Sequence, residues 1–332
     1  MRVGENPLKS DRQELEHKQH RVIIPFWIPN VENPYFRNQP EVLRICIQSL
    51  LDSINTETTN ITLINNNSCK EASDVVEYFV EQGVIDKYVV LCDNRGKLEA
   101  VLSEARACYE EYITISDCDF LFFKGWESNV AGIMRAFPEA GMVSCFPASH
   151  LAYFYNSNLI WFRPKAGKIL DDNDIDQFEK GLGHPATSGL YSRPGIRKRE
   201  IWRYNHYYLK RKNCIAMAGA VHALATYRRE VVDRFNKDRV LLRFGNGYEH
   251  EYIDFAAEKS GYLRLSTPSL LAYHMGNTLP QEVLGKYNEV NNMEYKPAIW
   301  PDRQNSLPVK AMRLIFPLTN YAFRFCRKYK LI

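Results

Sequence analysis

The chain has 332 residues, enough for one large domain or two ordinary ones, and 45% hydrophobic with 13% aromatic residues excludes a disordered or fibrous protein. The net charge of +4 is too small to imply nucleic acid by itself. Eight cysteines lie scattered without a CxxC pair, which argues against a zinc ribbon or disulfide scaffold and for reduced thiols in a cytoplasm.

Residues 1–20 read as a polar, solvated arm with no apolar leader, and no run of 18 uncharged apolar residues follows it. Val22-Ile23-Ile24-Pro25-Phe26-Trp27 reads as a buried strand. Pro40 to Ile54 is predicted helical, with Val42, Cys46, Leu50 and Ile54 on one face. Ile61 to Ile64 is the second strand, ending in Asn65-Asn66-Asn67-Ser68. Ser68 with Glu71 has the spacing of a capping box that opens a helix to about Gln82, and Gly83 closes it. Tyr88 to Leu91 is the third strand, ending in Asp93-Asn94-Arg95-Gly96-Lys97, and Leu98 to Cys108 is helical again.

The fourth strand, from Tyr112, alternates and then stops at Asp117-Cys118-Asp119 before Phe120-Leu121-Phe122. Two carboxylates in an apolar neighbourhood are costly unless a cation sits on them. A hard divalent ion shared with substrate phosphates would account for them, and so would an ordinary strand-end turn. Cys118 reads as a small strand residue. The order strand, helix, strand, helix, strand, helix, strand predicts a parallel sheet covered on both faces, with ligands at the carboxyl ends of its strands. All three polar clusters fall at those ends.

The ordered set of Val22 to Pro25, Asn65 to Ser68, Asn94 to Lys97 and Ser116 to Asp119 resembles the nucleotide-binding half of GT-A glycosyltransferases, especially family 2. The resemblance spans about residues 20–275. It implies an α/β, Rossmann-like GT-A fold with a mostly parallel central sheet and flanking helices. It puts Pro25, Asn65, Asn66, Asn67, Asp93, Asn94, Lys97, Asp117 and Gly219 around a nucleotide-sugar, and Asp117 and Asp119 on Mn2+ or Mg2+. The family more often has Asp in the Asn65–Asn67 cluster.

Two later segments extend the resemblance. Gly219 to Leu224, followed by Tyr227-Arg228-Arg229, is similar to the segment under the donor sugar. Gly247 to Tyr252 leads to Gly261, with Glu249 twelve residues before it, as in the family's Glu-Asp motif. His250 stands where the family's Asp is often the general base. Glu249 and His250 are therefore the catalytic candidates, with Glu251 a further possible base. A neutral imidazole can accept a proton near pH 7. A charged helix start is the plain alternative. His274 in His-Met-Gly-Asn resembles a histidine that supplies a third metal ligand in related enzymes.

The expected layout is an arm at 1–20, a GT-A domain at 21–276 and an extension at 277–332. The domain divides into a nucleotide half at 21–125 and an acceptor half at 126–276. Within the latter, an insert at about 150–215 mixes Tyr153, Phe154, Tyr155, Trp161, Phe162, Trp202, Tyr204, Tyr207 and Tyr208 with basic residues, among them Arg163, Arg193, Arg197, Lys198, Arg199 and Arg203. It reads as an acceptor-side lid for a glycan on a diphospholipid, or as core under a basic surface. No RNA-binding motif accompanies it, so no nucleic-acid partner is expected.

No acidic residue follows Asp302. At 100° per residue Lys310, Arg313, Asn320, Arg324, Arg327 and Lys328 share one face, with Met312, Ile315, Leu318, Ala322, Phe323, Phe325 and Cys326 around the rest. Pro317 is expected to kink this segment or to start a second helix. The segment at 307–332 reads as lying on an anionic membrane surface, or as docked on the domain. Together these features point to a metal-dependent transferase, peripheral on the inner face of the cell membrane; the family-2 resemblance implies inversion, with a retaining reaction that needs no such base as the alternative. It would move a hexose or N-acetylhexosamine from a UDP-sugar to a lipid-linked or surface glycan. A sugar nucleotidyltransferase is disfavoured because Pro25 to Pro34 has no glycine. A non-catalytic scaffold is disfavoured by the intact aspartates.

Overall fold

The computed structural model describes residues 3–6, 9, 17–183, 203–243, 248–279, 281, 284–285, 287–288, 295–304 and 306–329. Arg193, Arg197, Lys198, Arg199 and Trp202 of the aromatic–basic insert lie outside the described residues, as does Gly247.

The first half follows the predicted alternation. Strand β1 (His20–Phe26), helix α1 (Gln39–Leu51), β2 (Thr59–Asn65), α2 (Lys70–Glu81), β3 (Lys87–Val90), α3 (Lys97–Ala107) and β4 (Tyr112–Ser116) come in order. β3, β2, β1 and β4 lie side by side and parallel. β1 is apolar along its length because both faces of the sheet are covered. Val22, Ile24 and Phe26 pack with Val42, Cys46 and Leu50 of α1 and with Val76 of α2. Ile23 points the other way, onto Val101 of α3 with Ile64, Ile113 and Ile115.

The apolar run after Asp119 is a separate strand, β5 (Phe120–Phe122). Next come α4 (Trp126–Ala136), β6 (Ala140–Ser144), β7 (Lys165–Gly167), α5 (Asp172–Gly181), β8 (His206–Arg211), β9 (Cys214–Ala218) and β10 (Leu224–Arg228). The chain then forms α6 (Arg229–Val232), a π turn (His250–Asp254), α7 (Phe255–Lys259), β11 (Leu263–Ser266), β12 (Ala272–His274) and α8 (Leu307–Lys328). The central sheet has the order β3-β2-β1-β4-β10-β6-β11-β9-β8-β7. β10 runs antiparallel to both β4 and β6, while β6 and β11 are parallel. Segment 150–215 thus supplies β7, β8 and the start of β9 to this same sheet. β5 leaves it and pairs antiparallel with β12.

Three local expectations change. Ser68 does not cap α2, whose N-cap is Cys69 without a side-chain cap. Its hydroxyl instead accepts from Ile28 N at 3.0 Å, and its own N–H donates to Asn65 Oδ1 at 2.8 Å, tying the β1 and β2 ends together. α8 runs on through Pro317 as one helix of 22 residues. Its tertiary packing outweighs the missing N–H. Nor is its apolar surface uniform. Val309, Phe316 and Phe323 are buried on the body, while Leu307, Leu314, Leu318, Tyr321 and Phe325 face outward. Among the described residues, no helix is long and apolar enough to cross a membrane.

A polar knot under the sheet joins β1, β2, β4 and α4. The buried His20 lies 3.0 Å through Nδ1 from Glu127 Oε1 and 2.7 Å through Nε2 from Thr114 Oγ1. Glu127 also accepts from Thr59 Oγ1 and, at 2.9 Å, from Asn55 N. Removing the carboxylate strands these groups in the interior. Glu127→Ala is expected to lower stability by about 1–3 kcal/mol for each buried donor left unsatisfied, read from urea denaturation at pH 7.

Candidate active site

The parallel strands all end on one edge of the sheet, and the polar clusters converge there. At the end of β2, Asn65 turns its side chain inward. Its Nδ2 donates to Ser73 Oγ and Tyr88 Oη, both at 2.9 Å. Asn66 donates to Asn94 Oδ1 at 3.0 Å and accepts from Arg95 N at 2.9 Å, so the second and third clusters are one hydrogen-bonded unit. Asn67 is exposed with φ of +65°. Asp93 is exposed and paired with Arg95. Pro25 is buried within β1. Gly96 opens α3 with φ of +82°, and a side chain there would strike Arg243 O.

Lys97, the first residue of α3, forms an ion pair with Asp117 Oδ1. Burial disfavours its charge, but Asp117, with smaller help from Glu249 and Asp119, holds its pKa above the ordinary value. Asp117 is fixed by its backbone N–H, which donates to Ala223 O at 2.8 Å. Asp119 is fixed by Met275 N, which donates to its carbonyl at 2.8 Å.

The β5–β12 pair sets His274 opposite Phe120 in register. His274 Nε2 therefore lies 3.3 Å from Asp119 Oδ2, and Nδ1 donates to Gly181 O at 2.7 Å. Burial opposes the imidazolium, but the hydrogen bond and charge of Asp119 prevail and raise its pKa to about 9. Asp119 Oδ1 is buried and has no hydrogen-bond partner among the described residues. A carboxylate oxygen left over beside an imidazole, with Asp117 two residues away at the same strand end, is a donor set of the kind a hard divalent cation such as Mn2+ or Mg2+ takes. Cys118 takes no part, since burial and the Asp119 charge push its thiol well up.

Gly219 has a backbone reason to be glycine. Its φ is +108°, and an added Cβ would stand 2.3 Å from Ala148 O. Glu249 is half-buried just before the π turn. His250 begins that turn, and its Nδ1 lies 2.6 Å from Asp254 Oδ2. His222 Nδ1 reaches the same oxygen at 2.8 Å. Arg264 Nη2 lies 3.2 Å from Asp254 Oδ1, an ion pair with both members fully buried. Sequence reasoning singled out neither His222 nor Asp254. The four-residue step from His250 to Asp254, one helical turn, was the available signal. The three ligand atoms lie within 4.8 Å of one another, but both Nδ1 atoms already serve the carboxylate and Arg264 already supplies its positive charge.

A sequence model of glycosyl transferase family 2 matches residues 34–235, more than half of the chain. The chain belongs to that family and has the GT-A architecture. No curated protein matches it. Among solved structures, it is similar to S. aureus TarS 1–349 (11% identity, 92% of this chain and 72% of that one, TM-score 0.45). It is also similar to a mannosyltransferase from Pyrobaculum calidifontis in complex with GDP-Man and Mn2+ (13% identity, 92% and 75%, TM-score 0.43). A match to TarS 1–349 in complex with UDP-GlcNAc has 14% identity, 38% of this chain and 33% of that one, and TM-score 0.31. The chain covers 21% of the longer TarS structure.

Gly219→Ala should lower stability by at least about 1–3 kcal/mol, the cost of a non-glycine residue held in such a conformation. Thermal melting of the variant without ligand measures it.

Proposed function

We propose that this chain is a glycosyltransferase that moves a hexose or N-acetylhexosamine from a UDP-sugar to a glycan or lipid-linked glycan, with inversion. The supporting observation is the set Asp117, Asp119 and His274 beside Lys97, with one buried Asp119 oxygen left unsatisfied. These residues would hold Mn2+ or Mg2+ against the donor diphosphate. Such an ion, when bound, supplies Lewis acidity toward the leaving phosphate. The similar structures include one in complex with UDP-GlcNAc and one in complex with GDP-Man and Mn2+.

The chain's own residues do the rest. Lys97 offers an ammonium beside Asp117, and Asn66 with Asn94 shapes the floor for the nucleotide. Asp93 and Asn67 stand exposed at its rim. Glu249 or His250 takes the proton from the acceptor hydroxyl, which attacks the anomeric carbon opposite the diphosphate. Phe154 and Tyr155 of the aromatic segment pack on His250, with ring centroids at 4.9 and 5.6 Å, which supports an acceptor side there.

The reading places the enzyme on the inner face of the cell membrane through α8. Leu307, Leu314, Leu318, Tyr321 and Phe325 form one outward stripe, with Lys310, Arg313, Arg324 and Lys328 exposed alongside. An apolar stripe flanked only by cations suits an anionic interface.

Two outcomes test this. UDP should raise the melting temperature only with Mn2+, by an amount equivalent to about 2.7 kcal/mol at 100-fold excess over Kd. Asp119→Ala should remove that metal-dependent part and cut transfer at least about 100-fold. A shift with GDP alone would reassign the donor, and none with any nucleotide would sink the reading. In flotation with phosphatidylglycerol vesicles, Lys310→Gln with Arg313→Gln should weaken binding about 30-fold, at ~1 kcal/mol per basic residue lost. Wild type that stays off the vesicles would remove the membrane assignment.

A further inference from the structure

The segment after α6 leaves two large apolar side chains in solvent. Leu241 is 75% exposed and Leu242 53%. A single exposed leucine is ordinary, but an adjacent pair with a charged rim has the character of a contact surface.

The loop that carries the pair is held on both sides. Phe235 is buried against Tyr227, with ring centroids at 5.3 Å. Asn236 N donates to Tyr252 O at 3.0 Å, and Asn236 O accepts from Arg106. Tyr252 Oη donates to Arg239 O at 3.0 Å. Val240 packs on the cluster that contains Val231, Phe235 and Tyr252. Val240 therefore turns inward while Leu241 and Leu242 turn outward, and a loop already fixed this way loses little freedom on docking.

Place and charge indicate what the pair meets. Arg243 O lies against Gly96, where an added Cβ would stand 2.5 Å away, so the leucines flank the start of α3 that carries Lys97. Val309 of α8 is buried in the same cluster that receives Val240. Gly261, just past α7, touches α8 so closely that a side chain there would strike Val309 O. Leu241 and the outward Leu307 thus rise from one apolar layer, the layer that covers the α3 face of the sheet. Lys237, Arg239 and Arg243 are exposed around the leucines, and Asp238 is the one acid between residues 236 and 243. Apolar tips in a cationic rim suit an anionic lipid surface, whereas a second copy would set like charges against each other.

We infer that loop 236–243 is a second lipid contact. Leu241 and Leu242 enter the headgroup boundary of an anionic bilayer, and Lys237, Arg239 and Arg243 meet lipid phosphates. The inference rests on the membrane placement proposed above and adds a contact off the α8 axis. One helix alone would leave the body free to roll about that axis. The second contact fixes which edge faces the lipid, and it is the edge where β1 to β4 end. A lipid-linked acceptor would then reach Lys97 and its neighbours without leaving the bilayer.

The test uses the full chain in flotation with phosphatidylglycerol or phosphatidylcholine vesicles. Leu241→Ser with Leu242→Ser should weaken binding to phosphatidylglycerol about 30-fold, with a melting temperature near wild type because both side chains are exposed. Lys237→Gln with Arg239→Gln should weaken it about 30-fold as well, and should leave binding to phosphatidylcholine unchanged. Amide hydrogen exchange at 240–243 should slow when the wild type meets phosphatidylglycerol vesicles. Wild-type affinity in both loop variants, or exchange there that vesicles do not slow, would overturn the inference and leave α8 as the contact if its own charge variant loses binding. Loss in the loop variants with none in the α8 variant would uphold the loop and remove the α8 assignment. A wild type that floats with neither vesicle overturns both. A leucine variant that turns a dimer into a monomer in sedimentation, yet keeps wild-type vesicle binding, would overturn the lipid contact in favour of a second copy.

Discussion

A fully buried guanidinium, Arg264, is the constraint around which the second half of the sheet is arranged. It has no exposure at all, so each of its donors needs an internal acceptor. Carbonyls of Phe154 and Ala220 supply two, and Asp254 supplies the balancing charge. Asn156 meanwhile bonds both the N–H and the carbonyl of Arg264, at 3.0 Å each. One side chain thereby joins β11, the segment around residue 155, the turn before β10 and the helix that bears His250. The two imidazoles on Asp254 are a consequence of that neutralisation.

The edge where β1 to β4 end obeys a different logic. Its polar residues are short side chains at strand ends, held mostly by backbone groups. Asn66 and Asn94 bind each other's loops, Asp117 is fixed by Ala223 O, and Asp119 by Met275 N. The β5–β12 pair, outside the main sheet, brings His274 to Asp119 across more than 150 residues of chain. Gly181 permits the approach, since a side chain there would meet His274 O at 2.9 Å.

Periodicity made the first four strands and three helices legible, because apolar patterning follows directly from which faces are covered. The Asp117–Asp119 pair and its place at a strand end were legible for the same reason. Ser68 was misread because a capping box is a spacing, and the same hydroxyl found a partner in Ile28 N. The continuity of α8 through Pro317 was hidden, since its docking on the body compensates for a lost hydrogen bond. Asp254 escaped because its four-residue step from His250 is a local spacing that does not reveal Arg264 and His222, which reach it from other segments.

The sequence by itself determined the alternation of strands and helices, the edge where polar residues gather and the family to which the motifs belong. These depend on local spacing and on which residue types tolerate burial. Tertiary structure alone decided which side chains meet. His274 reaches Asp119 through an antiparallel pairing that no local pattern specifies, and His222 reaches His250 only because Asp254 is pinned by Arg264. Contacts between distant segments follow from sheet order and from the neutralisation of buried charge, and neither is written in the spacing of one segment.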